Sequence, residues 1–437
     1  MIPDRALDLQ SALTSDSNGM RFGVFPVDFE PLSFVRAGSD RFEGVFYFSS
    51  PDGSAAGGLG IASKASGSGV ERFGQVRSIV DEWSIPEPFR VFTGFSFAPD
   101  GPRSEPWSSF GASDAVLPIA TAVRRGRERL LLVALPPDVD VSDVSSLLGT
   151  LRTPPEPPYP NLGDHTLESC PPVSEWTSAV AEAVDAIHND ALRKVVLARS
   201  VVVRSDDAPD GFDLVSHLAR SYRQCFSFGW RVNGATFVGA SPELLVRLDG
   251  GVVTSNPLAG SARRGEGEAE DRLLADELMH SEKDGIEHRY VVDDVAERLR
   301  PFVKVLDVPD HPSLKRMATV QHLSTQISGT TRSGTHVLDL VDALHPTPAV
   351  GGTSRAAAQA FIDRAEGFDR GWYSGGIGWF NAAGDGEFAI NLRCGLLEGT
   401  RAHVFAGAGI VEDSRPELEL NETRLKLRPM LELLAAT

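Results

Sequence analysis

Residues 239–294 read GASPELLVRLDGGVVTSNPLAGSARRGEGEAEDRLLADELMHSEKDGIEHRYVVDD. The stretch opens into a strand-like run, Leu244 to Leu248, closed by the turn signal Asp249-Gly250-Gly251. A second short strand, Val252 to Ser255, is expected to lead into a tight small-residue loop, Pro257-Leu258-Ala259-Gly260-Ser261. Backbone N–H groups in such a loop can approach an anion closely. One long acidic helix is expected next, with Leu274, Leu278, Val292, Val295 and Leu299 at three- and four-residue steps and Pro301 as its stop. On it Asp284 and Glu287 stand three apart and share a face. Carboxylates on a helix beside an anion-cradling loop point to a hard cation held next to an acidic ligand.

Outward from this stretch, the 437-residue chain carries 42 Lys and Arg against 60 Asp and Glu, a net charge of −18. That argues against nucleic acid and anionic membranes as partners. An anionic ligand must then be drawn by a local cationic site or a metal. Cys170, Cys225 and Cys394 are too few and too scattered for a disulfide framework or a zinc site, which fits a reducing cytoplasm. The N-terminal MIPDRALDLQ has no basic segment followed by an apolar one, and no apolar run approaches the roughly 20 residues of a membrane span. The expected localisation is cytoplasmic.

Residues 1–155 read as short strands (Arg21–Val27, Gly44–Phe48, Val91–Phe97, Arg129–Ala134) between Gly, Ser and Pro turns. The proline-rich TPPEPPYPN at 153–161 is either a domain boundary or a rigid surface loop. Ser174–Asn189 has the apolar stripe of an amphipathic helix, and Lys194 opens a β-branched strand. Residues 226–248 read as a meander and Gln321-His322-Leu323 as part of a strand. Gly375–Phe380, Glu387–Leu397 and Ala402–Val411 read as three strands with hairpin links, before a closing helix over Glu417–Leu434. Hairpins dominate over β-α-β alternation, so the expected fold class is α+β, largely antiparallel sheets flanked by helices.

Several residues carry chemistry and a plainer alternative together. Glu419 and Glu422 share a face of the closing helix; with Glu287 they make an oxygen-only Mg²⁺ site or merely two solvated acidic faces. Lys194 at the head of an apolar strand is a buried base, its pKa lowered by burial, or a snorkelling surface lysine. Glu243, between Ser241-Pro242 and an apolar strand, is a half-buried general acid or a turn glutamate in water. Arg393 in AINLRCGLL offers a bidentate fork to a carboxylate from a strand. Gly407-Ala408-Gly409 lacks the third glycine of a dinucleotide fingerprint, because Glu412 stands there.

GASPELL, PLAGSARR and SEKDGIEH, in that order, resemble the chorismate-utilising enzymes: isochorismate, salicylate, anthranilate and aminodeoxychorismate synthases. PLAGSARR and the HPTPAVGGT segment at 345–353 look most like isochorismate synthases. The motifs span about residues 170–430, with the first 160 residues as a variable half of one domain. The resemblance implies a chorismate-binding fold with the active site between its layers, and Mg²⁺-dependent conversion of chorismate to isochorismate. It places the general base on Lys194, the general acid on Glu243 and metal ligation on Glu287 and Glu422, with Glu419 and Asp284 in support. His288 is expected to be structural. Substrate binding falls to Gly260, Ser261, His322, Ala349, Tyr373, Arg393, Gly407, Gly409 and Lys426. Ala349 stands where salicylate synthases tend to carry threonine, which favours water addition without pyruvate elimination. Salicylate synthase is the alternative within the family. A non-catalytic chorismate-binding paralogue would be expected to lack Lys194, Glu243 or a metal glutamate. The product would serve menaquinone, siderophore or salicylate synthesis. A monomer with no glutaminase subunit is expected.

Overall fold

A computed structural model describes residues 9–160, 163–317 and 320–434. Asn161 of the connector and the first eight residues of the N-terminal segment lie outside them. Among the described residues one sheet has 13 strands, a second has nine and a small third has three. Strands from both sides of the connector interleave: Val45–Ser49 pairs antiparallel with Phe226–Val232, and Val91–Phe95 with Gly376–Phe380. The two large sheets share an aromatic core, in which Trp230 meets Phe46 edge-on at 4.6 Å and Trp372 at 5.1 Å. Helices Pro31–Gly38, Gly211–Ser221 and Pro416–Leu434 cover the other face of the larger sheet. Strand Ala235–Ser241 is therefore buried at every position, Phe237 toward the second sheet, Val238 and Ala240 toward the helices. The fold is α+β, as its hairpins indicate. No helix among the described residues is long and apolar enough to cross a membrane.

Three local expectations change. The small-residue loop is the strand Leu258–Arg263, paired with Val320–Ser324; an irregularity between Ala259 and Ser261 accommodates Gly260 at φ +72°. The long helix is two, Glu268–His280 and Glu282–Leu299. Ser281 lies between them in extended conformation, and its hydroxyl caps the second helix by accepting from the Asp284 N–H at 3.2 Å. Apolar periodicity continues across this break, with Ala275 and Leu278 buried on the first helix and Val291, Val292, Val295 and Leu299 on the second. The expected strand Glu387–Leu397 is also two, Gly386–Ile390 and Cys394–Glu398, with Arg393 between them at φ +49° rather than on a strand.

That last break belongs to a pair of crossings. Ser241-Pro242-Glu243 carries the chain from the larger sheet into the strand Leu244–Asp249 of the second; Asn391-Leu392-Arg393 carries it back. The crossings are clamped together, the Ala240 N–H donating to the Arg393 carbonyl at 3.1 Å and the Ile390 N–H to the Glu243 carbonyl at 3.2 Å. Where strands switch sheets the layers part. The resulting space is the candidate site.

Candidate active site

On the strand Lys194–Ser205 successive side chains alternate in direction. Val195 and Leu197 pack under helices Val173–His188 and Arg355–Ala365, while Lys194 and Val196 face a cavity. The neighbouring strand Arg401–Ile410 brings Gly407 opposite Ala198 and Gly409 opposite Val196, on the same side. The capped helix Glu282–Leu299 adds Asp284 and Glu287, and the closing helix adds Glu419, Glu422 and Lys426. Glu243 and Arg393 enter from the two crossings; Gly260, Ser261 and His322 come from the small sheet, and Ala349 and Tyr373 from loops. All fifteen residues singled out in the sequence line one cavity of about 860 Å³.

Lys194 is only 1% exposed, and its ammonium lies 2.9 Å from Glu287 Oε1. Burial pushes the Glu287 carboxyl up, but Lys194, then Lys426 and Lys283, outweigh it and leave the net shift downward. Two further carboxylates are likewise matched with lysines, Glu422 with Lys426 at 2.5 Å and Glu419 with Lys283 at 3.5 Å. Asp284 has no ion-pair partner among the described residues; burial, then Glu287 and Glu422, raise its pKa against the lowering bond from Ser281. Glu419 is raised by burial and by Glu422. These mutually repelling, oxygen-only donors suit Mg²⁺. Among the described residues no three of them close around an ion. Mg²⁺ asks for less, since it commonly keeps several waters and takes one or two protein carboxylates.

Glu243 is 3% exposed. Burial pushes its carboxyl up to about 7, although the Leu258 N–H and the Lys315, Lys194 and Lys426 ammonium groups pull the other way. Lys315 is fixed beside it, donating to the Pro242 carbonyl at 2.8 Å. Arg393 makes no ion pair among the described residues; burial lowers its pKa, and Tyr373 lies near enough to act on its charge. Tyr373 stacks on Phe405 at 5.4 Å between ring centroids, with its hydroxyl beside Gly407. Lys426 donates to the Gly407 carbonyl at 3.0 Å. The His322 Nδ1 shares a hydrogen bond with Ser261 Oγ at 2.9 Å; burial, then Arg393 and Lys426, push it down to about 3, so the ring is neutral. His288 stays out of the cavity, its Nε2 bonded to Thr325 Oγ1 at 2.7 Å, as expected for a structural role.

Sequence reasoning missed Lys283, which lines the same cavity. A signal existed: a lysine in the first turn of a helix opposes the helix dipole, so its place there needs a carboxylate partner. Gly409 has a packing reason as well. A Cβ there would sit 2.6 Å from Glu287 Oε1 and 3.2 Å from Lys194 Cε. Gly409→Ala is therefore expected to displace the Lys194–Glu287 pair, lowering kcat by about a hundredfold and the unfolding midpoint at neutral pH with it. Steady-state kinetics beside urea denaturation checks this; unchanged kcat would show that the pair tolerates displacement.

The sequence matches the chorismate binding enzyme family over residues 13–435. The match thus begins well before the motifs do and takes in the N-terminal half. The chain is 37% identical to the salicylate biosynthesis isochorismate synthase of Pseudomonas aeruginosa over 432 residues, 95% of this chain and 89% of that protein. It is 32% identical to isochorismate synthase MenF of Bacillus subtilis, covering 93% of this chain and 91% of the relative. Among solved structures, the menaquinone-specific isochorismate synthase MenF of Escherichia coli superposes with a TM-score of 0.83 at 26% identity, over 97% of this chain and 96% of the other. With the motifs, the fold and these matches in agreement, the chain belongs to the chorismate binding enzymes.

Proposed function

We propose that this enzyme converts chorismate to isochorismate with Mg²⁺ as cofactor. The observation that carries the reading is the joint presence, in one cavity, of a buried lysine, a buried glutamate whose carboxyl is pushed up to about 7, and an arginine with no ion pair among the described residues. Relatives that cover most of the chain bear the name isochorismate synthase.

Arg393 binds the enolpyruvyl carboxylate through its guanidinium fork, with the Tyr373 hydroxyl beside it. Gly260, Ser261, Gly407, Gly409 and Lys426 hold the ring carboxylate. With its ammonium proton released to solvent, the neutral amine of Lys194 accepts a proton from water as the oxygen attacks C2. The ring double bonds shift, the C4–O bond breaks, and Glu243 gives its proton to the departing hydroxyl, which leaves as water. One water enters and one leaves, so the product is an isomer. Each group then exchanges its proton with solvent. Glu287 and Glu422 would hold the ion, with Glu419 and Asp284 in support; when bound, it supplies the positive charge that anchors a dianionic substrate to an acidic protein. Neutral His322 and the small Ala349 shape the wall around the ring without adding charge.

Purified protein given chorismate, with Mg²⁺ or EDTA, is expected to yield a mixture of isochorismate and chorismate, no pyruvate, and no turnover with EDTA. Salicylate with stoichiometric pyruvate would move the protein to the elimination chemistry. No turnover with chorismate still bound would make it a binding paralogue. Glu287→Gln is expected to weaken the Mg²⁺ dependence and to lower kcat together, by about tenfold or more. An unchanged metal titration would remove Glu287 from the ion.

A further inference from the structure

A second polar cavity, of about 840 Å³, opens at the far ends of the two strands whose near ends lead to Glu243 and Arg393. Its lining includes Asp52, Arg90, Arg125, Arg247, Trp379 and Glu387. The acids are already engaged. Glu387 Oε1 accepts from Arg247 Nε at 2.6 Å and its Oε2 from the Ser50 hydroxyl, while Asp52 pairs with Arg247 at 2.9 Å. Asp385 accepts from the Gly250 N–H.

Arg90 is different. It is 8% exposed, yet among the described residues its guanidinium has no hydrogen bond or ion pair. Its contact is the face of Trp379, 3.9 Å from the ring centroid. Burial pulls it down to about 10, which leaves it cationic at neutral pH; Glu387, and less strongly Asp52 and Glu87, favour its charge from a distance, while Arg125 adds like-charge repulsion. Arg125 stands at the rim, only loosely held by Asp249 at 3.6 Å with both side chains largely exposed. A guanidinium so enclosed ordinarily has a carboxylate or phosphate partner, and the Arg90 nitrogens, none of them sealed from solvent without a partner, open onto the cavity. An oxyanion between Arg90 and Arg125 would satisfy the first and relieve the repulsion between the two.

We infer that this cavity is a second ligand site, separate from the chorismate cavity, which takes the carboxylate or phosphate of a small anionic metabolite on Arg90 and Arg125. Trp379 offers an aromatic wall to the remainder of that ligand.

The test is calorimetric titration of the full chain with inorganic phosphate and, separately, with benzoate, on wild type, Arg90→Met, Arg125→Ser and Arg393→Met. Binding that weakens by about tenfold or more in Arg90→Met and severalfold in Arg125→Ser, but persists in Arg393→Met, is the expected result. The tighter of the two probes identifies the oxyanion. No binding of either probe at millimolar concentration, or binding unchanged in the Arg90 and Arg125 variants, overturns the site. Should Arg90→Met fail to give a native circular dichroism spectrum, Arg125→Ser decides, since that side chain is mostly exposed.

Discussion

Lys194→Ala should lose turnover by about 10³- to 10⁴-fold while chorismate still binds within about tenfold of wild type, because a general base acts on the chemical step rather than on affinity. Steady-state kinetics and calorimetric titration with chorismate separate the two terms. Appreciable residual turnover would remove Lys194 as base, and lost binding would make it a substrate anchor. The substitution also has a structural cost. Lys194 is the largest favourable influence on the Glu287 carboxyl, and breaking a buried pair commonly costs about 3–5 kcal/mol. The sign follows from Glu287, whose folded pKa lies below its ordinary 4.5. The pair's contribution is present above 4.5 and fades as the pH falls through the folded value. Wild type and Lys194→Ala should therefore differ in urea midpoint at neutral pH and converge in acid.

Glu243→Gln makes the opposite trade. The amide cannot donate an acidic proton, so turnover should fall by about 10²- to 10⁴-fold. Stability should rise at the same time. Burial lifts the folded pKa from 4.5 to about 7, so the contribution of the protonated group is complete below 4.5 and is lost as the pH rises through about 7. Above that pH the buried carboxylate costs about 3 kcal/mol, the free-energy equivalent of the gap between the two values. Glu243→Gln should thus be more stable than wild type at pH 8 and no more stable at pH 4. Wild-type kcat should in turn fall as the pH rises through about 7, as the acid loses its proton. A variant destabilised at pH 8, or a kcat flat across neutrality, would show that Glu243 is already ionised in the folded protein.

Much of this arrangement was legible without coordinates. Strand and helix periods assign faces, so Asp284 with Glu287, and Glu419 with Glu422, could be grouped from spacing alone. A lysine heading an apolar strand and a glutamate wedged between proline and leucines stand out against their surroundings, which is why Lys194 and Glu243 could be named. The motif resemblance supplied the roles that spacing left open between site and solvated surface. Periodicity does not say which faces meet. That Lys194 closes on Glu287, that Lys283 answers Glu419, and that Glu243 and Arg393 stand on adjacent crossings all depend on contacts between distant segments. The breaks at Ser281 and Arg393 were hidden for a related reason. Each is set by a local backbone conformation, extended at Ser281 and left-handed at Arg393, that apolar spacing passes over unchanged. The sequence by itself determined the α+β class, the identity of the chemical groups and the family. The tertiary structure alone decided their pairing, their burial and hence their charge, because desolvation and Coulomb energy depend on distances that the order of residues does not contain.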